Sequence, residues 1–338
     1  VGVVGRSSAE SVAYFMLAHI PARFAVAVLF VVSCFVSTAM GTSCGTITLI
    51  VPIAVAVAKT SGFSLPLCIG SVMGGAMFGD NLSFISDTTI AACNTQGCAM
   101  KDKFKENFLI VLPAAVASIL IFWLITRNAT YSMPENLQYN LWQVLPYLVV
   151  LGGALAGINV FIVLISGIVI SLLVGVTTGN IALAEMFQVV GNGVTSMYDI
   201  TVISILVACI VSLVKEYGGI QFILELIRSR IHGKKGAEVG IALLALFVDL
   251  CTANNTVAIV MSGPIAKEIS EEFDVDPRRS ASLLDMFTSA GQGMIPYGAQ
   301  LLSAATLTGL TPFDIIPQLY YPILMGICGV AAIFLRKR

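Results

Sequence analysis

Residues 24–58 and 136–184 contain no charged side chain. A helix needs about 20 apolar residues to cross the hydrocarbon of a bilayer. The first stretch therefore has room for one or two crossings and the second for two. Soluble domains carry about 25% charged residues; here 11% of 338 are charged and 57% are hydrophobic. These features predict an all-α polytopic membrane protein.

Further apolar segments fall near 24–40, 46–58, 62–78, 107–126, 145–157, 159–178, 200–214, 239–248, 257–265, 282–287 with the residues just after it, and 316–335. Several are shorter than a full span and stop at Gly, Asn or Thr. Broken or re-entrant helices are the expected reading, because non-helical backbone at membrane depth survives only where it lines a cavity or is buried in protein.

Two polar blocks interrupt this apolar sequence. The first runs Gly79-Asp80-Asn81-Leu82-Ser83-Phe84-Ile85-Ser86-Asp87-Thr88-Thr89 and the second Asp249-Leu250-Cys251-Thr252-Ala253-Asn254-Asn255-Thr256. An Asp at the centre of a membrane helix costs roughly 2.5–3.5 kcal/mol on insertion scales, so several such residues ringed by Ser, Thr and Asn point to use. Carboxylate, hydroxyl and amide oxygens suit a hard cation such as Na⁺. Burial favours the neutral form of a carboxylate, so such a group can trade a proton for a cation. Asp80 and Asp87 lie seven apart, on one face with Ser83 between them if the segment is helical. Gly79 and the density of Asn, Ser and Thr argue that part of it is unwound. The simpler reading is that one Asp caps a helix. Asp80, Asp87 and Asn254 are the candidate cation ligands. Ser83, Ser86, Thr88, Thr42, Ser43, Thr252 and Asn255 are candidate neutral partners. Asp249 is a ligand or an ionic partner, and Asp285 is either part of the site or paired with Arg278 or Arg279. Gly41-Thr42-Ser43-Cys44-Gly45-Thr46 reads as a break or as small-residue helix packing. Gly291 to Pro296 reads as an unwound stretch offering backbone carbonyls.

A weak internal repeat places the two blocks in matching positions. From Thr46 to Met77-Phe78 is 31 residues, and from Thr256 to Met286-Phe287 is 30, an offset of about 209. Duplicated halves with interrupted segments point to a transporter site at their interface. Basic residues cluster in cytoplasmic loops. The clusters are Lys101, Lys103 and Lys105; Arg228, Arg230, Lys234 and Lys235; and Arg336, Lys337 and Arg338. Four expected spans separate the first two clusters, which puts both on one side. Parity then favours inverted repeats over 22–100 and 232–310, joined by connecting spans in 101–231 and followed by a C-terminal helix in 311–338.

The remaining chemistry is sparse. Two His and eight Cys make no metal pattern. No nucleotide or haem motif is present, so neither a cofactor nor enzyme activity is expected. His19 and His232 lie near expected loops, which leaves Ser43 and Ser83 without a base for hydrolytic chemistry. Glu185 and Asp199 belong to an external connector, and 222–232 is a basic amphipathic stretch of surface-helix type. Residues 1–21 read as the end of a preceding element, so further N-terminal sequence is expected.

Gly79-Asp80-Asn81-Leu82-Ser83 with Ser86-Asp87-Thr88-Thr89 resembles the G-D-x-x-S-x-x-S-D-T-T motif of the NhaC family of bacterial Na⁺/H⁺ antiporters. Gly41 to Thr46 is similar to that family's G-T-S-x-G-T block, and Thr252-Ala253-Asn254-Asn255 to its T-A-N-Q, with Asn255 in place of Gln. Ile295-Pro296-Tyr297 resembles its I-P-W, with Tyr for Trp. The resemblance runs in order from about residue 20 to 325. It implies a multi-pass antiporter of the bacterial inner membrane with inverted repeats. That antiporter exchanges cytoplasmic Na⁺ for external H⁺. The family also includes exchangers of organic acids of the malate and lactate type, the alternative function. The expected partners are Na⁺, H⁺ and the bilayer, with a homodimer left open and no nucleic acid.

Overall fold

The computed structural model describes residues 5–128, 140–156, 158–195 and 231–335, together with isolated positions between 198 and 222. Helices account for the regular structure, and no strand occurs among the described residues. In chain order they are α1 (Gly5–His19), α2 (Ala25–Met40), α3 (Ser43–Ser61), α4 (Leu65–Leu82), α5 (Asp87–Gln96), α6 (Met100–Thr126), α7 (Leu141–Leu155), α8 (Val160–Thr177) and α9 (Met186–Thr195). After the sparsely described segment come α10 (Gly233–Thr252), α11 (Asn255–Glu272), α12 (Pro277–Met294), α13 (Ala299–Thr308), the single turn α14 (Pro312–Ile315) and α15 (Tyr320–Leu335).

Helices α3 and α6 are long and apolar enough to cross a membrane. So is the pair formed by Pro312–Gln318 and α15, which is bent by 54°. Helix α2 and the segments Leu141–Val150 and Phe161–Thr177 are apolar but shorter. Leu109, Val116, Leu120 and Leu124 stand exposed along α6. An apolar face of that extent on a monomer marks a contact surface, here one suited to lipid.

The helix ends fall in two matching series. Helices α3, α4 and α5 start at 43, 65 and 87; α11, α12 and α13 start at 255, 277 and 299. The offset is 212 residues throughout. It also relates the helix-interior prolines Pro52 and Pro264 and the left-handed C-cap residues Gly97 and Gly309. Aligned apolar runs give an offset of about 209; the caps correct it, because they mark helix ends. Packing is reciprocal as well. The short α5 lies against α11, and the short α13 lies against α3, so each series lends its last helix to the other.

Close approach of α2 to α4 depends on glycine. A Cβ on Gly75 would sit 2.2 Å from the Phe30 carbonyl oxygen, and one on Gly79 2.4 Å from that of Cys34. Four-residue spacing puts both glycines on one helix face, the small-residue pattern of membrane helix packing. Beneath them Phe30, Phe122 and Tyr321 meet at ring separations of 5.9 Å.

Two expectations change. Residues 282–287 are the middle of α12, buried from Arg279 to Gly293, not a short apolar segment. The three lysines near residue 101 open the 27-residue α6; Lys101 and Lys105 are exposed, but Lys103 is buried. The expected span at 200–214 and the surface helix at 222–232 lie largely outside the described residues.

Candidate functional site

Four breaks in the helices bring the polar blocks together. Between α2 and α3, Gly41 takes a left-handed conformation (φ 67°) and Thr42 caps α3, its hydroxyl accepting the Gly45 N–H at 3.4 Å. Between α10 and α11, Ala253 takes the same conformation (φ 49°) and the Asn254 side chain accepts the Val257 N–H at 3.1 Å. The other two breaks are 83–86, between α4 and α5, and 295–298, between α12 and α13. Each pair is related by 212 residues.

Asp80 lies at the meeting of the two breaks of the first series. It is in the last turn of α4 and 5% exposed. Its Oδ2 accepts the Ser43 N–H at 3.2 Å, and its Oδ1 accepts the Ser86 hydroxyl at 2.7 Å. Ser43 opens α3, where backbone N–H groups lack helical partners and the helix dipole favours an anion. The carboxylate is therefore held between one helix end and a pair of hydroxyls, since Ser86 also shares a hydrogen bond with Thr88 at 2.9 Å.

The remaining expected residues divide by what they touch. Asp87 is exposed; its Oδ1 accepts its neighbour's N–H on Thr88 at 3.0 Å, and its Oδ2 accepts the Thr256 hydroxyl at 2.8 Å, linking the break at 83–86 to that at 253–254. Because α4 ends at Leu82, Asp80 and Asp87 do not share a helix face. Ser83 turns to the Thr38 carbonyl at 2.7 Å and braces the break. Thr252 donates to the Asn254 carbonyl, and Asn255 accepts from Thr256 N–H, so both serve the local backbone. The segment Gly291–Met294 remains helical, and its contribution comes from the Gln292 side chain. That amide donates to the Ala253 carbonyl at 2.9 Å and to Gln300 Oε1 at 2.7 Å. Gln300 in turn donates to the Ser43 hydroxyl at 3.3 Å, which ties the second series to the residue that holds Asp80.

Asp285 does not pair with Arg278 or Arg279. It is fully buried and forms an ion pair with Lys103. Arg279 lies six residues away, roughly 9 Å along the helix. It bonds Glu106 at 3.2 Å and Glu238 at 3.0 Å, while Arg278 bonds Asp276. Lys103 also donates to the Asn81 carbonyl at 2.7 Å and the Thr89 hydroxyl at 3.0 Å. Its ammonium therefore sits among three oxygens at the crossing of α4, α5, α6 and α12. Asn81 continues the network to Ser289 at 3.3 Å and to Asn107. Sequence reading missed Lys103, Asn107, Gln292 and Gln300. Lys103 stands among Lys101, Asp102, Lys105 and Glu106, so nothing local distinguishes it from a solvated charge.

Among the described residues Asp249 is neither a cap nor half of an ion pair: it is fully buried, and both carboxyl oxygens lack a hydrogen-bond partner. No group of three or more His, Cys, Asp or Glu side chains suited to a metal ion occurs among the described residues. The Asp80 surroundings, by contrast, combine a buried carboxylate with hydroxyl and backbone groups.

Relatives match most of this chain and about two thirds to three quarters of their own length. Na⁺/H⁺ antiporter NhaC of Bacillus subtilis is 22% identical over 350 residues, covering 94% of this chain and 77% of that protein. The malate-2H⁺/Na⁺-lactate antiporter of the same organism is 20% identical over 332 residues, covering 89% and 70%. The arginine/ornithine antiporter ArcD of Halobacterium salinarum is 22% identical over 328 residues, covering 87% and 68%. The profile of the Na⁺/H⁺ antiporter family matches residues 10–127 and 130–336. A helical membrane transporter with polar helix breaks, this chain belongs to the Na⁺/H⁺ antiporter family.

Proposed function

We propose that the chain is a multi-pass secondary antiporter of the bacterial inner membrane that moves cytoplasmic Na⁺ outward against entry of external H⁺. Asp80 is the exchanging carboxylate. The observation that carries this reading is its position: buried, at the N-terminus of α3, with a backbone N–H and a serine hydroxyl as its hydrogen-bond partners. Neither partner neutralises it with a full charge, so a cation or a proton can. Asp87, Ser86, Thr88, Thr42, Ser43 and the Asn254–Asn255 break line the approach. Lys103 holds Asp285 in place beside it. Residues 22–100 and 232–310 are duplicated halves of inverted topology, joined through 101–231 and followed by 311–338. The 212-residue register and the reciprocal packing of α5 and α13 support that reading. The chemistry is transport without bond rearrangement in a substrate, so the chain is not an enzyme. In proteoliposomes with an acidic interior, a step of external Na⁺ should drive proton efflux; a flat pH signal over a series of Na⁺ steps refutes the assignment.

Organic-acid exchange is the second reading, favoured by the similarity to the malate/lactate antiporter. Against it, Arg279 is engaged by two glutamates and is not free to clamp a carboxylate at the breaks. Saturable uptake of labelled malate or lactate exceeding that of ²²Na⁺ would replace the first reading by this one.

A further inference from the structure

We propose that Asp249 is a second proton-carrying site of the exchanger, separate from Asp80, and that it holds a proton in this conformation. The proposal rests on the exchange reading. Three observations carry it.

Asp249 is fully buried, and neither oxygen has a donor facing it among the described residues. An ionised carboxylate so placed would be desolvated without compensation. It also lies in the last turn of α10, where the helix dipole disfavours negative charge. Asp80 occupies a last turn too, but two donors serve it.

Packing does not require a carboxyl group at this place. The residue 212 positions earlier is Ser37, and its hydroxyl donates to the Ala76 carbonyl. The backbone facing each is a glycine at the same offset, Gly79 and Gly291. A Cβ on Gly291 would come within 2.8 Å of Asp249 Oδ2. Equivalent backbone therefore accepts a small, satisfied hydroxyl in one series and holds an unsatisfied acid in the other.

No nearby charge neutralises Asp249 among the described residues. Its near neighbours in sequence and across the break, Cys251 on its own helix and Tyr297 in the 295–298 break, carry no positive charge. On α12, Asp285 is engaged by Lys103, and Arg279 by Glu106 and Glu238. Helix α15 brings Tyr320, Tyr321 and Cys328, and no charged residue among those described. On α11 the nearest charge in sequence, Lys267, is about 18 Å along the helix from its start. The way out is short: Leu250 and Tyr297 are each about two-fifths exposed, and the Tyr297 hydroxyl donates to the Leu250 carbonyl at 2.6 Å.

When the Ala253–Asn254 break opens to one side, the acid transfers its proton to water, leaving a carboxylate and hydronium. Opened to the other side, it takes one back. Only O–H bonds are made and broken. With Asp80 exchanging one proton for Na⁺, the chain moves two protons per Na⁺.

Infrared difference spectra of the reconstituted protein, wild type against Asp249→Asn, read the protonated carboxyl directly. The expected result is loss of a carboxylic-acid carbonyl band in the variant. Gly291→Ala, which presses on the carboxyl, should shift that band without removing it. Reversal-potential measurements should give two protons per Na⁺ in the wild type and one in Asp249→Asn. If Asp249→Asn fails to fold, Asp249→Ser takes its place, since Ser stands at the equivalent position 37. An unchanged band or an unchanged proton-to-Na⁺ ratio overturns the proposal. Should the wild type move no Na⁺, the exchange reading fails, while the band still decides whether Asp249 carries a proton.

Discussion

Lys103 and Asp285 form the most demanding pair among the described residues. Both side chains are essentially inaccessible, and removing one partner of a buried ion pair typically costs about 3–5 kcal/mol. Lys103→Met should therefore lower thermal stability in detergent by that order, by stranding the Asp285 charge. The double variant Lys103→Met with Asp285→Leu should recover most of the loss, because no charge is left behind. A double variant as unstable as the single one would mean that packing, not charge, sets the cost. Sequence alone puts Lys103 in a loop cluster and leaves Asp285 open between the site and the arginines of its own helix. Neighbours in sequence suggest both placements, whereas the pairing depends on where α6 crosses α12, which local spacing does not encode. The burial of Asp80 is legible for the opposite reason: an acid in apolar sequence is costly wherever the helices cross.

Helix ends are where this fold places its polar chemistry, and the caps differ between the two series. Gly41 takes its left-handed conformation without strain, but a Cβ there would also meet Ile85 at 2.8 Å. Ala253 takes the same conformation with a Cβ present. Such strain costs of the order of 1–3 kcal/mol. Gly41→Ala should destabilise by about that amount, and Ala253→Gly should hold stability or gain about 1 kcal/mol. Thermal unfolding of the two variants checks the pair; equal losses would contradict the cap assignment. The breaks themselves were visible in sequence, since Gly, Thr and Asn in apolar runs are cap residues. Their true boundaries were not. The Gly291–Gly293 glycines looked like unwound chain, yet they are helical, with Gly291 admitting Asp249 and Gly293 facing Met77.

At the level of the whole molecule, two series of helices at a constant offset exchange their short last members. That offset is faint in the sequence, because apolar residues substitute freely for one another in lipid-facing and core positions. Caps and prolines do not, and they mark the register. The proposed inversion would put the α3–α4 and α11–α12 turns on opposite sides of the membrane. Single cysteines at Ser64 and Glu272, in a cysteine-free background, should label with a membrane-impermeant maleimide from opposite faces. Labelling of both from the same face would contradict inversion.

Exchange through Asp80 is the central claim, and Asp80→Asn tests it most directly. The amide oxygen can still accept the Ser43 N–H and its NH₂ can face the Ser86 hydroxyl, so the local hydrogen bonds survive. Only the titratable charge is removed. Na⁺-driven proton flux and thermal unfolding should be measured on the same proteoliposome preparations of wild type and variant. The expected result is loss of flux to background with stability unchanged or raised, and a smaller effect for Asp87→Asn, whose carboxylate is exposed. Normal flux in Asp80→Asn at unchanged stability would contradict the claim and leave Asp80 as a cap for α3.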